Sequence, residues 1–363
     1  MTKYLPVFLT AFAIAASPMS ADAAFAPDAT IEPVMQRAVD DVIVPGYKAF
    51  DGSAHAMAAS MNRLCNENSP AAYDAAMQAF TRAVADWSHI EVLRDGPALD
   101  ENRFERILFF PDAKGLALKQ VQALLAKKDE TEISGSSMKG KSVAIQGLTA
   151  LEFVLAGNGK EELSGGADNF RCHAGRAIAA NVATIAGELA TLWSAPDGVA
   201  RNWKAFGPDN PVYRNGDEAL IALLGTLVRG IETINEKRVT IFYPTDGTTP
   251  NPKKALYWRS GLTMSSVADN LEGLRDIWDK SGMQSIIKGD ASAITTNINF
   301  EFKTAIETAR KLAEPPEKLV SDERQRSRIE FLQLTLADLQ ARLNNDYGRA
   351  MGLSAGFTFS DGD

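Results

Sequence analysis

The sequence predicts an all-α fold made of two fused four-helix-bundle-like domains. Apolar residues recur at alternating steps of three and four, which is the period of an amphipathic helix. The period-two alternation of a half-buried strand is nearly absent, with one short β-like run from Val239 to Tyr243. Two stretches rich in proline and glycine interrupt the helical pattern. This combination is typical of helices that pack nearly parallel or antiparallel in bundles.

The longest predicted helices each carry a stripe of apolar residues. The stripes are Phe50, Ala54, Met57, Met61 and Leu64; Ile178, Val182, Ile185, Leu189 and Leu192; Leu220, Leu223, Leu227, Ile231 and Ile234; Val267, Leu271, Leu274 and Trp278; and Ile329, Leu332, Leu336, Leu339 and Leu343. The pattern stops from Ser194 to Pro211 and again from Tyr243 to Pro252. We therefore expect an N-terminal bundle over residues 24–205 and a C-terminal bundle over residues 206–363. A single irregular all-α domain is the alternative.

The first 23 residues have the layout of a secretory signal peptide. Lys3 precedes an apolar run from Leu5 to Ala16, and Ala21 and Ala23 form an A-x-A cleavage site. The run is shorter than the roughly 20 residues that span a bilayer, although a membrane anchor is the alternative. We expect a mature chain that begins near Ala24, lacks a membrane span and lies in a bacterial periplasm.

Composition limits the function and the redox chemistry. The 363 residues carry a net charge of −8, which disfavours nucleic-acid binding. Two cysteines and three histidines leave little material for a zinc site. In an oxidising compartment the two cysteines could pair, because Cys65 falls near the end of one predicted helix and Cys172 near the start of another. Two separate buried thiols are the alternative.

One carboxylate stands in an otherwise apolar stretch. Residues 142–159 contain a single ionisable side chain, Glu152, on the same predicted helix face as Thr149 and Leu148. A buried carboxylate is costly unless it is paired or hydrogen-bonded. Gly147 is expected inside this helix, where it is unfavourable unless another group approaches the backbone closely. Glu152 therefore indicates either a ligand or metal site or a structural ion pair with a buried arginine.

At this helix the chain resembles the imelysin family. The segment GLTALEFVLAG resembles the family's G-x-H-x-x-E helix. Similar resemblances occur at Asp86-Trp87, residues 93–97 (LRDGP), residues 102–112 (NRFERILFFPD), residues 257–262 (YWRSGL), residues 270–274 (NLEGL), and the C-terminal Gly356-Phe357 and residues 361–363. The resemblance implies two fused helical bundles with a cleft that this helix borders. It also implies a protein of the bacterial envelope, from a family classed with peptidases and often tied to iron uptake.

The resemblance also implies a broken motif. Gly147 and Glu152 match the family pattern, whereas Thr149 stands where the family has histidine. Threonine is a poor ligand for zinc or iron and cannot serve as a general base near neutral pH. Glu152 remains a possible ligand for iron or another divalent metal.

Two arginines are the expected partners of Glu152. Either Arg94 or Arg259 could pair with it, or with an anionic ligand; a surface salt bridge is the alternative for each. The expected ligand-binding residues are Gly147, Thr149, Glu152, Arg94, Trp258, Arg259 and Ser260. Trp258 could instead be a core residue, and Ser260 has no histidine nearby in sequence to make it a hydrolase nucleophile.

The resulting expectation is a periplasmic binding or accessory component of iron acquisition without peptidase activity. A metallopeptidase is one alternative. Another is an interaction protein whose cleft holds a peptide, a haem-like group or a partner helix. The expected partners are thus a metal, haem-like or peptide ligand and envelope proteins of iron uptake.

Overall fold

The structure is a computed structural model that describes residues 28–133, 135–165, 169–287 and 292–353, without the side chains of residues 135–137. The predicted signal peptide and the C-terminal motifs from Gly356 onward lie outside these residues. The described residues are mostly helical and contain no strand, which confirms the all-α prediction.

The helices follow one another with short connections. In chain order the α-helices are α1 (Asp28–Arg37), α2 (Val44–Glu67), α3 (Pro70–Ile90), α4 (Arg103–Ile107), α5 (Leu116–Lys127), α6 (Leu148–Ala156), α7 (Phe170–Ser194), α8 (Val199–Lys204), α9 (Gly216–Thr233), α10 (Thr263–Lys280), α11 (Ser292–Lys311), α12 (Pro316–Ser321), α13 (Glu323–Ala341) and α14 (Gly348–Ala350). Wider π-helical turns occupy Ala38–Ile43, Ile234–Thr240 and Arg342–Tyr347. Tighter 3₁₀ turns occupy Gly96–Ala98, Asp100–Asn102, Glu130–Glu132, Gly135–Gly140, Val143–Ile145, Lys160–Ser164, Pro252–Lys254 and Met283–Ser285.

Polar side chains fix where the long helices begin. The Asn169 side chain accepts a hydrogen bond from the Cys172 amide at the start of α7, at 2.9 Å. The Ser69 hydroxyl accepts one from the Ala72 amide at the start of α3, at 3.2 Å. Asn68, just before it, is left-handed with φ 46° and ends α2. Because only Asn68 and Ser69 join α2 to α3, these two helices form an α-hairpin.

The apolar stripes lie in the core with one exception. Leu192 is 38% exposed, whereas every other stripe residue is buried. Trp193, four residues after Leu189, takes the inward position instead and packs edge-on against Trp203, with ring centroids 5.4 Å apart. Both spacings are compatible with one helix face, and the larger aromatic side chain occupies the core.

The short β-like run forms no strand, because it begins in a helix and continues into a turn over residues 241–243. A π-helical extension of α9 runs through Val239 and ends at Thr240. Val239 and Phe242 are both fully buried, and their spacing of three is also compatible with a helix. The run is too short for its apolar residues to distinguish the two structures.

The two halves of the chain share one continuous apolar core. Helix α2 packs on α3 and α7 in the first half, α10 packs on α3 across the halves, and α1 reaches α9. Helices α3 and α10 cross very closely at Gly273, where an added Cβ would lie 1.8 Å from the His89 carbonyl oxygen. The division near residue 205 remains a prediction. Within the described ranges, none of the helices combines the length and apolarity needed to cross a membrane.

A disulfide joins Cys65 in α2 to Cys172 in α7, with the Cα atoms 5.5 Å apart. The bond closes a loop between residues separated by 107 positions. A loop of this length stabilises the fold by about 4–5 kcal/mol in the chain-entropy account.

We therefore expect the Cys65→Ser, Cys172→Ser double variant to lose stability of that order in denaturant unfolding. Reductant should destabilise the wild type similarly and leave the double variant unchanged. Two alkylatable thiols in the unreduced wild type, or equal stability of the two proteins, would contradict this.

Candidate functional site

The helix that carries Glu152 begins at a close backbone contact. Gly147 is the residue before α6, not an interior residue as its sequence context suggested, and its carbonyl accepts the first helical bond from Leu151 at 3.0 Å. A Cβ at this position would lie 2.2 Å from the Ile107 carbonyl oxygen. The close approach expected at Gly147 is therefore present. Gly147 lies between the preceding 3₁₀ turn and α6.

The other end of α6 is held by donors from two neighbouring helices. Arg171 of α7 donates to the carbonyls of Val154, at 2.7 Å, and of Asn158. The Tyr73 hydroxyl of α3 donates to the Leu155 carbonyl at 2.7 Å. These bonds satisfy carbonyls that a helix end leaves without partners, and the guanidinium also favours the negative end of the helix dipole. Helix α6 is thus fixed at both ends.

The second half of the chain supplies a tight turn that faces α6. Tyr257 is buried and left-handed, with φ 56°, a conformation that disfavours a bulky residue. Its carbonyl accepts the Leu262 amide at 3.1 Å and so closes the turn. The turn brings Ser260 to Glu152 and places Trp258 and Arg259 beside the same carboxylate.

Glu152 is 3% exposed and accepts hydrogen bonds from Ser260 and from the Arg259 backbone amide. The Ser260 amide and hydroxyl donate to Oε1 at 2.9 and 2.8 Å. Among the described residues, no lysine or arginine forms a direct ion pair with Glu152. The structural ion pair considered from the sequence is therefore not formed among these residues.

Burial shifts the pKa values of both Glu152 and Arg259. Burial raises the pKa of Glu152, and the Ser260 hydrogen bonds and the Arg259 charge offset only part of that effect. Burial likewise lowers the pKa of Arg259, opposed by the charge of Glu152. Both groups are thus partly desolvated, and the Arg259 guanidinium forms no ion pair with the Glu152 carboxylate among the described residues.

A cavity of about 350 Å³ opens at this position. Thr149, Glu152, Trp258 and Arg259 all line it. The Arg259 guanidinium lies 4.4 Å from the centre of the Trp258 ring, and the Lys253 ammonium lies 5.9 Å from it. Cations at these distances interact favourably with an aromatic face. The cavity therefore combines an aromatic surface with three cations, Lys253, Lys254 and Arg259, and two carboxylates, Asp112 and Glu152.

Arg94 does not join this site, so its expected convergence with Glu152 is wrong. Its guanidinium lies 4.1 Å from the centre of the Phe104 ring, and 3.9 Å from the Glu105 carboxylate. It lines a different cavity. Local partners ten and eleven residues along the chain determine its position, and the sequence pattern did not reveal them.

The residues at Glu152 do not fit a resident metal ion. Asp112 also lines the cavity, but its carboxylate caps α5 by accepting the Leu116 and Ala117 amides at 2.6 and 2.9 Å. Thr149 offers no strong metal ligand. Within the described part of the chain, no cluster of three or more His, Cys, Asp or Glu residues could hold a metal.

Sequence reasoning missed several cavity residues. Lys253 lies just before the 257–262 signature, and Phe109 and Phe110 lie within the 102–112 signature. The available signal was that both segments resemble the same family, since two such segments can contribute residues to one site. Their spatial meeting depends on packing between distant elements.

The comparison with known proteins defines the family. The imelysin family model, described as a peptidase family, matches residues 43–343. The chain belongs to the imelysin family. No curated protein matches the sequence significantly.

Two solved structures share the imelysin fold. An imelysin-like protein from Psychrobacter arcticum has a TM-score of 0.77 at 15% identity, with 92% of this chain and 99% of that chain covered. A protein described as an iron-regulated protein A precursor from Parabacteroides distasonis has a TM-score of 0.71 at 14% identity, with 90% and 97% covered. Both likenesses show the fold.

A substitution at Gly147 tests the close backbone contact at the start of α6. Gly147→Ala should destabilise the protein by about 1–3 kcal/mol, because the methyl group meets the Ile107 backbone rather than a flexible side chain. Gly52→Ala in α2 is the matched control, since nothing lies within 4 Å of its added Cβ. There alanine should stabilise the helix by up to about 1 kcal/mol. Equal unfolding midpoints for the two variants would show that the contact is absent.

A substitution at Glu152 tests whether its buried charge stabilises the fold. Glu152→Gln keeps an acceptor for Ser260 and removes a buried charge, so its unfolding free energy at neutral pH should match or exceed that of the wild type. Glu91→Gln is the contrast, because Glu91 forms a buried ion pair with Arg238 at 3.1 Å. That change should cost about 3–5 kcal/mol.

The pH dependence of the Glu152 effect has a defined sign. Burial raises the pKa of Glu152 in the folded state, so the folded protein binds this proton more tightly than the unfolded chain. The wild type should therefore lose stability relative to Glu152→Gln as pH rises from about 4.3 through the raised pKa. A loss of several kcal/mol in Glu152→Gln at neutral pH would instead identify a structural role.

Proposed function

We propose that this imelysin-family protein is an exported, periplasmic ligand-binding component of iron acquisition without peptidase activity. The observation that carries the proposal is the Glu152 carboxylate, held on one oxygen by Ser260 and left without an ion-pair partner beside a cavity. A carboxylate kept in this state for structure alone would be destabilising.

The cavity favours an anionic ligand with a planar or apolar part. Lys253, Lys254 and Arg259 line it against two carboxylates, Asp112 and Glu152. The three cations outnumber the two carboxylates, and the Asp112 carboxylate already accepts the amides at the start of α5. The Trp258 ring lies near both Lys253 and Arg259 and supplies an aromatic surface beside these cations. Such a site binds anions through charge and hydrogen bonds.

The link to iron comes from the resemblance noted in the sequence and from the Parabacteroides distasonis neighbour, whose name describes iron regulation. Because the Glu152 site lacks a ligand set for a bare metal ion, we propose that iron enters as an anionic ferric chelate that brings its own ligands. Glu152 would accept a hydrogen bond from the chelate and Arg259 would pair with its anionic edge.

The absence of peptidase activity is part of the proposal. Thr149 provides no group that titrates near neutral pH at the position where the family motif has histidine. Ser260 donates its hydroxyl proton to Glu152, and no histidine lines the cavity. Export is supported by the sequence pattern of residues 1–23 and by the word precursor in the neighbour's name.

Titration with ferric citrate tests the proposal. The wild type should bind it, and both Glu152→Gln and Arg259→Met should weaken binding by about 10-fold or more, since each removes a charge-assisted contact. Arg63→Met is the matched control, because Arg63 pairs with Glu67 on the exposed face of α2. Its affinity should equal that of the wild type.

Free citrate, haem and a casein peptide complete the ligand series. Binding of ferric citrate that is insensitive to Arg259→Met would place the ligand elsewhere. Tighter binding of haem or of the peptide than of ferric citrate would identify that molecule, rather than the chelate, as the ligand. Hydrolysis of casein that disappears in Glu152→Gln would overturn the proposed lack of peptidase activity.

A further inference from the structure

A second cavity, of about 400 Å³, lies where the end of α3 meets α9 and α10. It shares no lining residue with the Glu152 cavity. Its inner wall contains the buried polar side chains Glu91, Arg238 and Asn270, which are 4%, 5% and 1% exposed. Its volume lies within the range of small-molecule sites.

Two buried acceptors on this wall lack donors. Glu91 Oε1 accepts from Arg238 at 3.1 Å and from the Asn270 amide at 2.8 Å, whereas Glu91 Oε2 has no partner. The Asn270 amide nitrogen also donates to the Ser88 carbonyl at 2.6 Å, and Asn270 Oδ1 has no partner. Because both amide protons of Asn270 are used, an exchange of its oxygen and nitrogen would not resolve the deficit. Buried acceptors without donors are uncommon in folded proteins and costly.

The rest of the wall is cationic. Arg94 and Arg229 line the cavity together with Arg238, against Glu91 as the only carboxylate in this lining. Arg229 is exposed and forms no ion pair within the described residues. Arg94 has only the Glu105 contact at 3.9 Å. Two guanidinium groups are thus available to an anion, while the buried acceptors need a hydrogen-bond donor.

We propose that this cavity binds a small carboxylate that also carries an amino or hydroxyl group. Its carboxylate would pair with Arg229 and Arg94, since guanidinium groups favour bidentate contacts with carboxylates. Its N–H or O–H group would donate to Glu91 Oε2 and Asn270 Oδ1. The site is independent of the Glu152 cavity and of the iron proposal.

Calorimetric titration with three matched probes tests the assignment. Glutamate, 2-hydroxyglutarate and glutarate differ only in carrying an amino group, a hydroxyl group or hydrogen at one carbon. We expect glutamate or 2-hydroxyglutarate to bind at least about 10-fold more tightly than glutarate, because glutarate leaves both buried acceptors unpaired. The stronger of the two identifies the donor. Equal affinity for all three, or binding by none, would overturn the proposal.

Two variants locate the bound probe. Arg229→Met should weaken binding by about 10-fold or more, and its exposed, unpaired side chain makes it a mild change for folding. Arg275→Met on the exposed face of α10 is the matched control and should bind like the wild type. Glu152→Gln should also leave this affinity unchanged, which separates the result from the ferric citrate test. Binding that survives Arg229→Met but is lost in Glu152→Gln would assign the probe to the first cavity and refute the second site.

Discussion

The hydrogen bonds from Ser260 to Glu152 are the constraint on which the site depends, because they join residues 108 positions apart in a partly buried contact. Helix α6 can present Glu152 only because Gly147 allows the Ile107 backbone to approach and because Arg171 holds the other helix end. The turn that carries Ser260 requires Tyr257 in an unfavourable left-handed conformation. The packed core of both halves stabilises these features together.

Two buried glutamates of this structure differ in how their charge is balanced. Glu91 has a direct arginine partner, Arg238, and that pair joins segments 147 residues apart. Glu152 has only hydrogen-bond donors and a more distant guanidinium. Burial without a direct counter-charge raises the pKa of Glu152, so a ligand that brings a hydrogen-bond donor to this carboxylate would be favourable. The contrast supports a ligand-binding interpretation of Glu152.

The sequence predicted features that depend on local pattern. The helical period defined the stripes, and the lack of other charges near Glu152 indicated its burial. The family resemblance added Trp258, Arg259 and Ser260 to the site, and the structure brings all three to Glu152. Features decided by tertiary packing were not predicted. Arg94 lies against Phe104, and Trp193 rather than Leu192 is buried in the core. Gly147 precedes its helix because the Ile107 carbonyl, 40 residues earlier in the chain, packs against it.

The most direct test of a ligand-facing Glu152 is the titration of its own carboxyl group by NMR, with carbon-13 at the glutamate carboxyl position and Glu152→Gln to assign the signal. The midpoint should lie above the ordinary glutamate value of about 4.3, because burial outweighs the hydrogen bonds from Ser260. Gallium citrate, a diamagnetic substitute for the ferric chelate, should shift this signal and its midpoint. A midpoint at or below the ordinary value, with a signal that the chelate leaves unchanged, would contradict the account.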